Sequence, residues 1–494
     1  MSQTLSLRDY QERGIESLRQ GFIAGHRSQL LCIPTGGGKT ECAIALMHAT
    51  ARNYKRASMI LDRVVLCDQT SKRLDRYSIP HGVMQADHWR YRPYERIQVC
   101  SAQTLESRGV SPDTDLLIVD ECHATRKGTV ELIQANPRIR VIGLTATPFT
   151  KGLGELYTNV VCPITMHELV QAGSLVPLRV FIAQEADMAG AKKFGGEWTA
   201  ADATAAGNKI VGDVVTEWVK ITHQVFGKPE KSIVFCASVD HAQTLSDRFR
   251  DAGYNFIPLT YRDDGDYKRD IIDAFSEPDT KINGLIAVDI LTKGFDVPDV
   301  RIAVSARPFS KSLSSHVQQI GRIVRAAPGK EFGVWIDHSG NFLRFREQYE
   351  TLYFDGVRSL GDGALQDKPV REKTEKEKKE AKCPKCGALR LGPMCVHCGF
   401  EFPARSMIEE VSGTVSEIDV GADIAERIKR EAFFRELLRY CLTKGYSAGW
   451  AANKFKDRYG IWPKYGNEPA DSISEDTAKW IKHLNIKLAK RKRR

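Results

Sequence analysis

Residues 33–40 read Ile-Pro-Thr-Gly-Gly-Gly-Lys-Thr. Three consecutive glycines let a backbone wrap closely around an anion, and a lysine and a hydroxyl follow at once. The loop comes after a short apolar run, residues 30–33, and before a helical stretch, residues 41–51. N–H groups at such a helix start point inward at a phosphate. In that setting Thr35, Gly36, Gly37 and Gly38 form the cradle, Lys39 reaches the β- and γ-phosphates, and Thr40 ligates Mg²⁺. The strict pattern has glycine where Ile33 stands, so this loop is a variant.

A second apolar run, residues 116–119, ends in Asp120-Glu121-Cys122-His123. Carboxylates at the C-terminal end of a parallel strand face the crevice where ligands bind. Asp120 is suited to hold Mg²⁺ through water, and Glu121 to orient and deprotonate an attacking water. Alone, the pair reads as a solvated turn; the phosphate loop upstream gives it chemical meaning. Gly143-Leu144-Thr145-Ala146-Thr147-Pro148 puts two hydroxyls at another strand end, although Thr-Pro also simply ends strands. Farther on, Arg322 and Arg325 lie three apart in residues 318–325 and share a helix face. Such a pair can act as fingers on a γ-phosphate bound elsewhere. In isolation it would be a surface ion-pair face.

Cys383-Pro384-Lys385-Cys386-Gly387 and Cys395-Val396-His397-Cys398-Gly399 are two CxxCG knuckles. They predict one tetrahedral Zn²⁺ on Cys383, Cys386, Cys395 and Cys398, with each glycine allowing the tight turn. Scattered core cysteines would not produce both units in a hydrophilic stretch. No thioredoxin-like βαβ pattern surrounds them, which argues against a redox pair. His397 is an alternative ligand or a solvent-facing side chain. The other eight of the 12 cysteines sit in apolar segments and read as reduced core thiols.

The elements that must position these groups follow from pattern. With 494 residues, two to four domains are expected. The composition, 42% hydrophobic and 27% charged, excludes a wholly disordered chain. No run of about 18 apolar residues predicts a membrane span. The first residues lack a secretory signal, so a cytoplasmic protein is expected. Through residue 360, short apolar runs alternate with helical stretches, which predicts an α/β fold with parallel sheets. The expected division is 1–175, a connection at 176–209, 210–360, a charged linker at 361–382, a zinc ribbon at 383–402, and a basic helical region at 422–494. In residues 366–382, 12 of 17 side chains are charged, which marks the linker.

The net charge is +10, and residues 425–494 hold 18 Lys/Arg against 8 Asp/Glu, so the remainder is roughly neutral. A polyanion such as nucleic acid is the first partner to consider, beside a merely solubilising basic surface. Here Trp450, Trp462 and Tyr459 stand among Lys454, Lys456, Arg458 and Lys464. That mixture suits base stacking with phosphate contact, and equally a small helical core that docks a protein. Ile424, Ile428, Leu437, Leu438 and Cys441 form the expected inner face.

Over roughly residues 5–345 these motifs, in order and spacing, resemble the superfamily 2 helicases and translocases, DEAD/DEAH-like. The resemblance takes in Arg8-Asp9-Tyr10-Gln11, the phosphate loop, Asp120 to His123, residues 145–148, Gly294-Phe295-Asp296 and residues 318–325. Cys122 departs from DEAD and DEAH at the third letter. The resemblance implies two tandem RecA-like domains with ATP between them. It implies that Gln11 recognises adenine and Asp296 touches ribose. Lys39, Thr40, Asp120 and Glu121 would hold and hydrolyse ATP·Mg²⁺, and Arg322 and Arg325 would reach across from the second domain. It places nucleic acid over Arg63 with Gln69, residues 101–104 and Ser238. Family motifs often carry proline where this chain has Asp62. The phosphate loop and residues 294–298 are most similar to restriction-enzyme motor subunits and repair translocases, which favours DNA. A nucleic-acid-stimulated ATPase that remodels protein–DNA complexes, an RNA helicase, and a zinc-dependent DNA scaffold with an inactive motor are the competing readings.

Overall fold

A computed structural model describes residues 4–150, 152–185, 209–211, 213–288, 295, 297–307, 312–361, 409–411, 413–418, 420–463, 465–466 and 468–492. The expected zinc ligands and Asp296 lie outside the described residues. The chain divides into two compact units, Met1–Glu417 and Ile418–Arg494.

The first unit contains two seven-stranded sheets. In the first, β1 (Ser28–Cys32), β2 (Ala57–Leu61), β3 (Gly82–Met84), β4 (Ile97–Ser101), β5 (Leu116–Val119), β6 (Arg140–Thr145) and β7 (Asn159–Val161) run in the order β3-β4-β2-β5-β6-β1-β7. Every pairing is parallel. Strands β1, β2, β4 and β5 are buried at every residue, as strands covered on both faces must be. Because all run the same way, their carboxyl ends line up along one edge. The loops leaving that edge carry the phosphate loop after β1, Asp120-Glu121 after β5 and Thr147 after β6.

The second sheet begins with β8 (Leu178–Glu185). A separate pair joins β9 (Lys209–Val211) to β15 (Glu409–Val411). The second sheet continues through β10 (Ser232–Cys236), β11 (Phe256–Thr260), β12 (Gly284–Val288), β13 (Ile302–Ala306), β14 (Gly333–Asp337) and β16 (Gly413–Ile418), in the order β11-β12-β10-β13-β14-β8-β16. The α/β class and the two RecA-like parallel-sheet domains are therefore present. The strand β8 corrects the sequence reading, which took 176–209 as a connection. Leu-Arg-Val-Phe-Ile-Ala-Gln-Glu mixes charge into the run and so hides its apolar residues, but Val180, Phe181 and Ile182 are buried beside β14. Trp218 anchors this domain's core, edge-on to Phe249, Tyr254 and Phe256, with its indole N–H donated to Ser232 Oγ at 2.8 Å.

Among its described residues the second unit holds three helices, Val420–Lys444, Ala448–Tyr459 and Glu475–Lys492. Its core is Phe433, Phe434, Leu437, Leu438, Cys441, Ala451, Phe455 and Ile481. Leu437, Leu438 and Cys441 were expected there. Ile428 is instead 44% exposed, and Phe433 with Phe434 supplies the bulk. Trp450 packs against this core, whereas Trp462 is 52% exposed with Lys456 Nζ 4.3 Å from its ring. Among the described residues no helix is long and apolar enough to cross a membrane.

Candidate nucleotide site

The phosphate loop is shaped by its glycines. Gly36 and Gly38 have φ of +87° and +78°, a region L side chains avoid. A Cβ on Gly38 would meet Gln11 Nε2, and one on Gly37 would press into Ile33 Cγ2. Gly38 starts the helix Lys39–Arg52 without any side-chain cap, which leaves the first N–H groups for an anion. The loop is braced from below: Tyr10 Oη donates to Gly37 O at 2.8 Å, and Gln11 Nε2 donates to Gly37 O at 3.1 Å. Gln11 is buried, and its Oε1 accepts from the Arg8 N–H. Its side chain is thus turned onto the loop, while Arg8, Asp9 and Tyr10 line the cleft beside it.

That cleft measures about 980 Å³. From the first domain it is lined by Thr35, Gly36, Gly38, Lys39, Thr40, Asp120 and Glu121. From the second it takes Phe295, Gln318, Arg322 and Arg325. The motifs scattered over nearly 300 positions therefore meet in one cavity. Both arginines donate to Phe295 O, so the loop containing it fixes them at the wall.

The helix Leu313–Ile323 is pressed directly on the phosphate loop. A Cβ at Gly321 would stand 2.9 Å from Thr35 Cβ, so only glycine permits this approach. The backbone of Leu175 bridges to Arg325, and Val176 N–H donates to Val324 O at 2.8 Å.

A run of close polar contacts joins the two domains beside the acid pair. Gln318 Nε2 lies 3.1 Å from His123 Nε2 and donates to Thr147 Oγ1 at 3.3 Å. With Gln318 donating, the imidazole Nε2 accepts and Nδ1 carries the proton. Nδ1 then faces Thr145 Oγ1 at 2.9 Å and Glu121 Oε2 at 3.2 Å. Thr145 and Thr147, expected as hydroxyls at a strand end, are buried parts of this run. His123 and Gln318 were legible as motif letters but not as partners, since 195 positions separate them. Glu121 has a positive φ of +46°, which turns the chain sharply after β5. Cys122 is buried, its thiol pushed well up by burial, and a Cβ at Gly143 would collide with its Sγ. The unusual third letter is a core thiol matched to a glycine.

The helix Val64–Arg76 supplies further lining residues. Leu66, Gln69 and Arg73 recur at helical spacing and line the cleft, and Arg73 is held by Glu41 at 3.3 Å. Gln69, expected on a nucleic-acid track, is thus a lining residue of the cleft. Asp62 binds Arg126 at 2.7 Å, and Arg126 also reaches Glu106, which gives the aspartate a structural role where proline is usual. Ser238 caps its helix by accepting from His241 N–H.

The cleft fits a nucleoside triphosphate by glycines whose Cβ positions are closed and by cationic groups on opposite walls. Mg²⁺ would be held by Thr40 and, through water, by Asp120; it would neutralise phosphate charge. Residues 4–150 match the family described as the type III restriction enzyme, res subunit, and residues 217–327 match the helicase conserved C-terminal domain. The two matches together cover just over half of the chain and support a place in the superfamily 2 helicase family. Helicase-family domains imply ATP hydrolysis in general, with ATP and Mg²⁺ as its cofactors.

The chain is similar to a 51.5 kDa protein of Lactococcus phage (isolate 7-9), 24% identical over 391 residues, 76% of this chain and 79% of that protein. It is similar to the endonuclease subunit of the type I restriction enzyme EcoAI of Escherichia coli, 25% identical over 403 residues, 71% of this chain and 48% of that subunit. Its fold is shared with the ATP-dependent type ISP restriction-modification enzyme LlaBIII bound to DNA, at a TM-score of 0.52 and 17% identity, covering 68% of this chain and 28% of that one. The chain thus spans half or less of these two restriction enzymes.

Proposed function

We propose that this chain is an ATP-driven DNA translocase or helicase. The observation that carries the reading is the single cleft that joins Lys39, Thr40, Asp120 and Glu121 of one domain to Arg322 and Arg325 of the other. A site split between two domains is assembled only when they close, so hydrolysis is coupled to their relative movement. Glu121 takes the proton of the attacking water, held in line by His123. Arg322 and Arg325 stabilise charge on the transferred phosphoryl group. The chain from Glu121 through His123 to Gln318 communicates closure to the base. DNA is favoured because the relatives over both motor domains include restriction-enzyme subunits. Translocation measured beside strand displacement tests the reading; absence of both on DNA would contradict it.

The polymer track runs along the carboxyl edge of the first sheet, over Arg63 after β2 and residues 101–104 after β4. Long-range attraction comes from beyond residue 425, where the excess of about ten positive charges lies. Lys/Arg contacts to phosphate release counterions, so affinity falls steeply with salt. Truncation after Gly421 is expected to weaken DNA binding and flatten its salt dependence. Titrations of both forms at two salt concentrations check this, and equal slopes would give the tail another role.

The paired knuckles at Cys383, Cys386, Cys395 and Cys398 are proposed to hold one structural Zn²⁺ per chain. Cys383→Ser is expected to release it while the motor domains keep their melting transition. Metal analysis of freshly purified protein checks the stoichiometry.

A further inference from the structure

We infer that the loop between β3 and β4 is a base-stacking platform for an unpaired nucleic-acid strand. The inference rests on the nucleic-acid motor reading and extends it to residues that none of the motifs contains.

The loop, residues 85–96, reads Gln-Ala-Asp-His-Trp-Arg-Tyr-Arg-Pro-Tyr-Glu-Arg. Aromatic rings alternate with guanidinium groups, and the rings face solvent: Trp89 is 74% exposed, Tyr94 71% and Tyr91 53%. Large aromatic side chains normally bury most of their surface, and three on this short loop do not. Arg92 is exposed beside them.

The loop is built, not loose. Val83 N–H donates to Arg90 O at 3.0 Å, and Gln98 Nε2 donates to the carbonyls of Arg92 and Glu95 at 2.9 and 2.8 Å. Arg90 grips Asp75 while its guanidinium lies 4.5 Å from the Trp89 ring centroid. His88 stacks on the same indole at 5.7 Å and pairs with Asp68 at 3.4 Å. These contacts hold the indole upright instead of letting it fold onto the protein.

Its place in the sheet says what it would meet. Along the carboxyl edge the order is β3, β4, β2, β5. The loops after β2 and β4 carry the proposed track, so the start of the loop after β3 extends that row by one strand, while Arg92 to Glu95 return to the amino edge, where Arg56 Nη2 donates to Pro93 O at 2.7 Å. The junction is bonded: Ala86 N–H donates to Thr104 Oγ1 at 3.0 Å, and Arg108 Nη2 donates to Ala86 O. A strand lying over residues 101–104 that continues outward reaches Trp89 next. Exposed rings with intervening cations suit splayed bases and their phosphates, whereas bases in a duplex are already stacked on one another.

Trp89→Ala and Tyr91→Ala are the test, with Tyr94→Ala at the amino edge as the control and a fluorescent oligodeoxythymidylate and a blunt duplex as probes. Stacking losses predict that Trp89→Ala weakens single-strand binding about 5- to 150-fold. The slope of affinity against salt stays at the wild-type value, because no phosphate contact is removed. Trp89→Phe retains most of the affinity, and blunt-duplex binding moves far less. The melting temperatures of the variants match wild type, since the rings bury little. Wild-type affinity for the oligonucleotide in both Trp89→Ala and Tyr91→Ala would overturn the platform while leaving the motor reading intact. Failure of the wild-type chain to bind any nucleic acid would overturn both.

Discussion

Glu121→Gln abolishes ATP turnover while leaving ATP binding close to wild type. The amide keeps the size of the carboxylate and its position at the cleft wall but cannot accept the proton of an attacking water. General-base contributions are worth about 10²–10⁴ in rate. The surroundings sharpen the expectation, because His123 Nδ1 stands 3.2 Å from Glu121 Oε2 and is itself fixed by Thr145 and Gln318. Loss of turnover thus reports the base rather than a collapsed site. Nucleotide binding by fluorescence and turnover by phosphate release are the two readouts. Wild-type turnover in the variant would remove Glu121 from the chemistry.

Arg322→Ala and Arg325→Ala each lower turnover far more than ATP affinity. Finger residues act on charge that develops in transfer and are worth about 10³–10⁵ in rate. Both arginines line the cleft opposite Lys39 and Thr40 and converge on Phe295 O. Lysine in either place restores little, since it lacks the planar fork that spans two acceptors. Single-turnover rates at saturating ATP check this. An alanine variant with an unchanged rate would make that arginine a brace for the loop at Phe295 and nothing more.

The phosphate loop, the acid pair and the arginine helix were legible because the chemistry of each lies in a contiguous string at a strand or helix end. What joins them was not. The contact of Gly321 with Thr35 and the link from His123 to Gln318 depend on how two sheets meet, which no local pattern encodes. That Gln69 lines the cleft was not legible, because a position several residues past a strand end does not reveal a helix's rotation; its company with Leu66 and Arg73 does. In the C-terminal unit an aliphatic period pointed to Ile428, but Phe433 and Phe434 fill the core more completely. The strand β8 escaped notice because Arg179 interrupts its apolar run, and that arginine is satisfied across the sheet by Glu417 at 2.7 Å.

Hydrolysis in this cleft is proposed to be coupled to nucleic acid, and to DNA in particular. The direct measurement is the ATP hydrolysis rate without nucleic acid and with single-stranded DNA, duplex DNA, forked DNA or RNA, side by side. Strong stimulation by at least one form of DNA and little by RNA is the expected result. A rate that no nucleic acid changes, or that RNA alone raises, would contradict it.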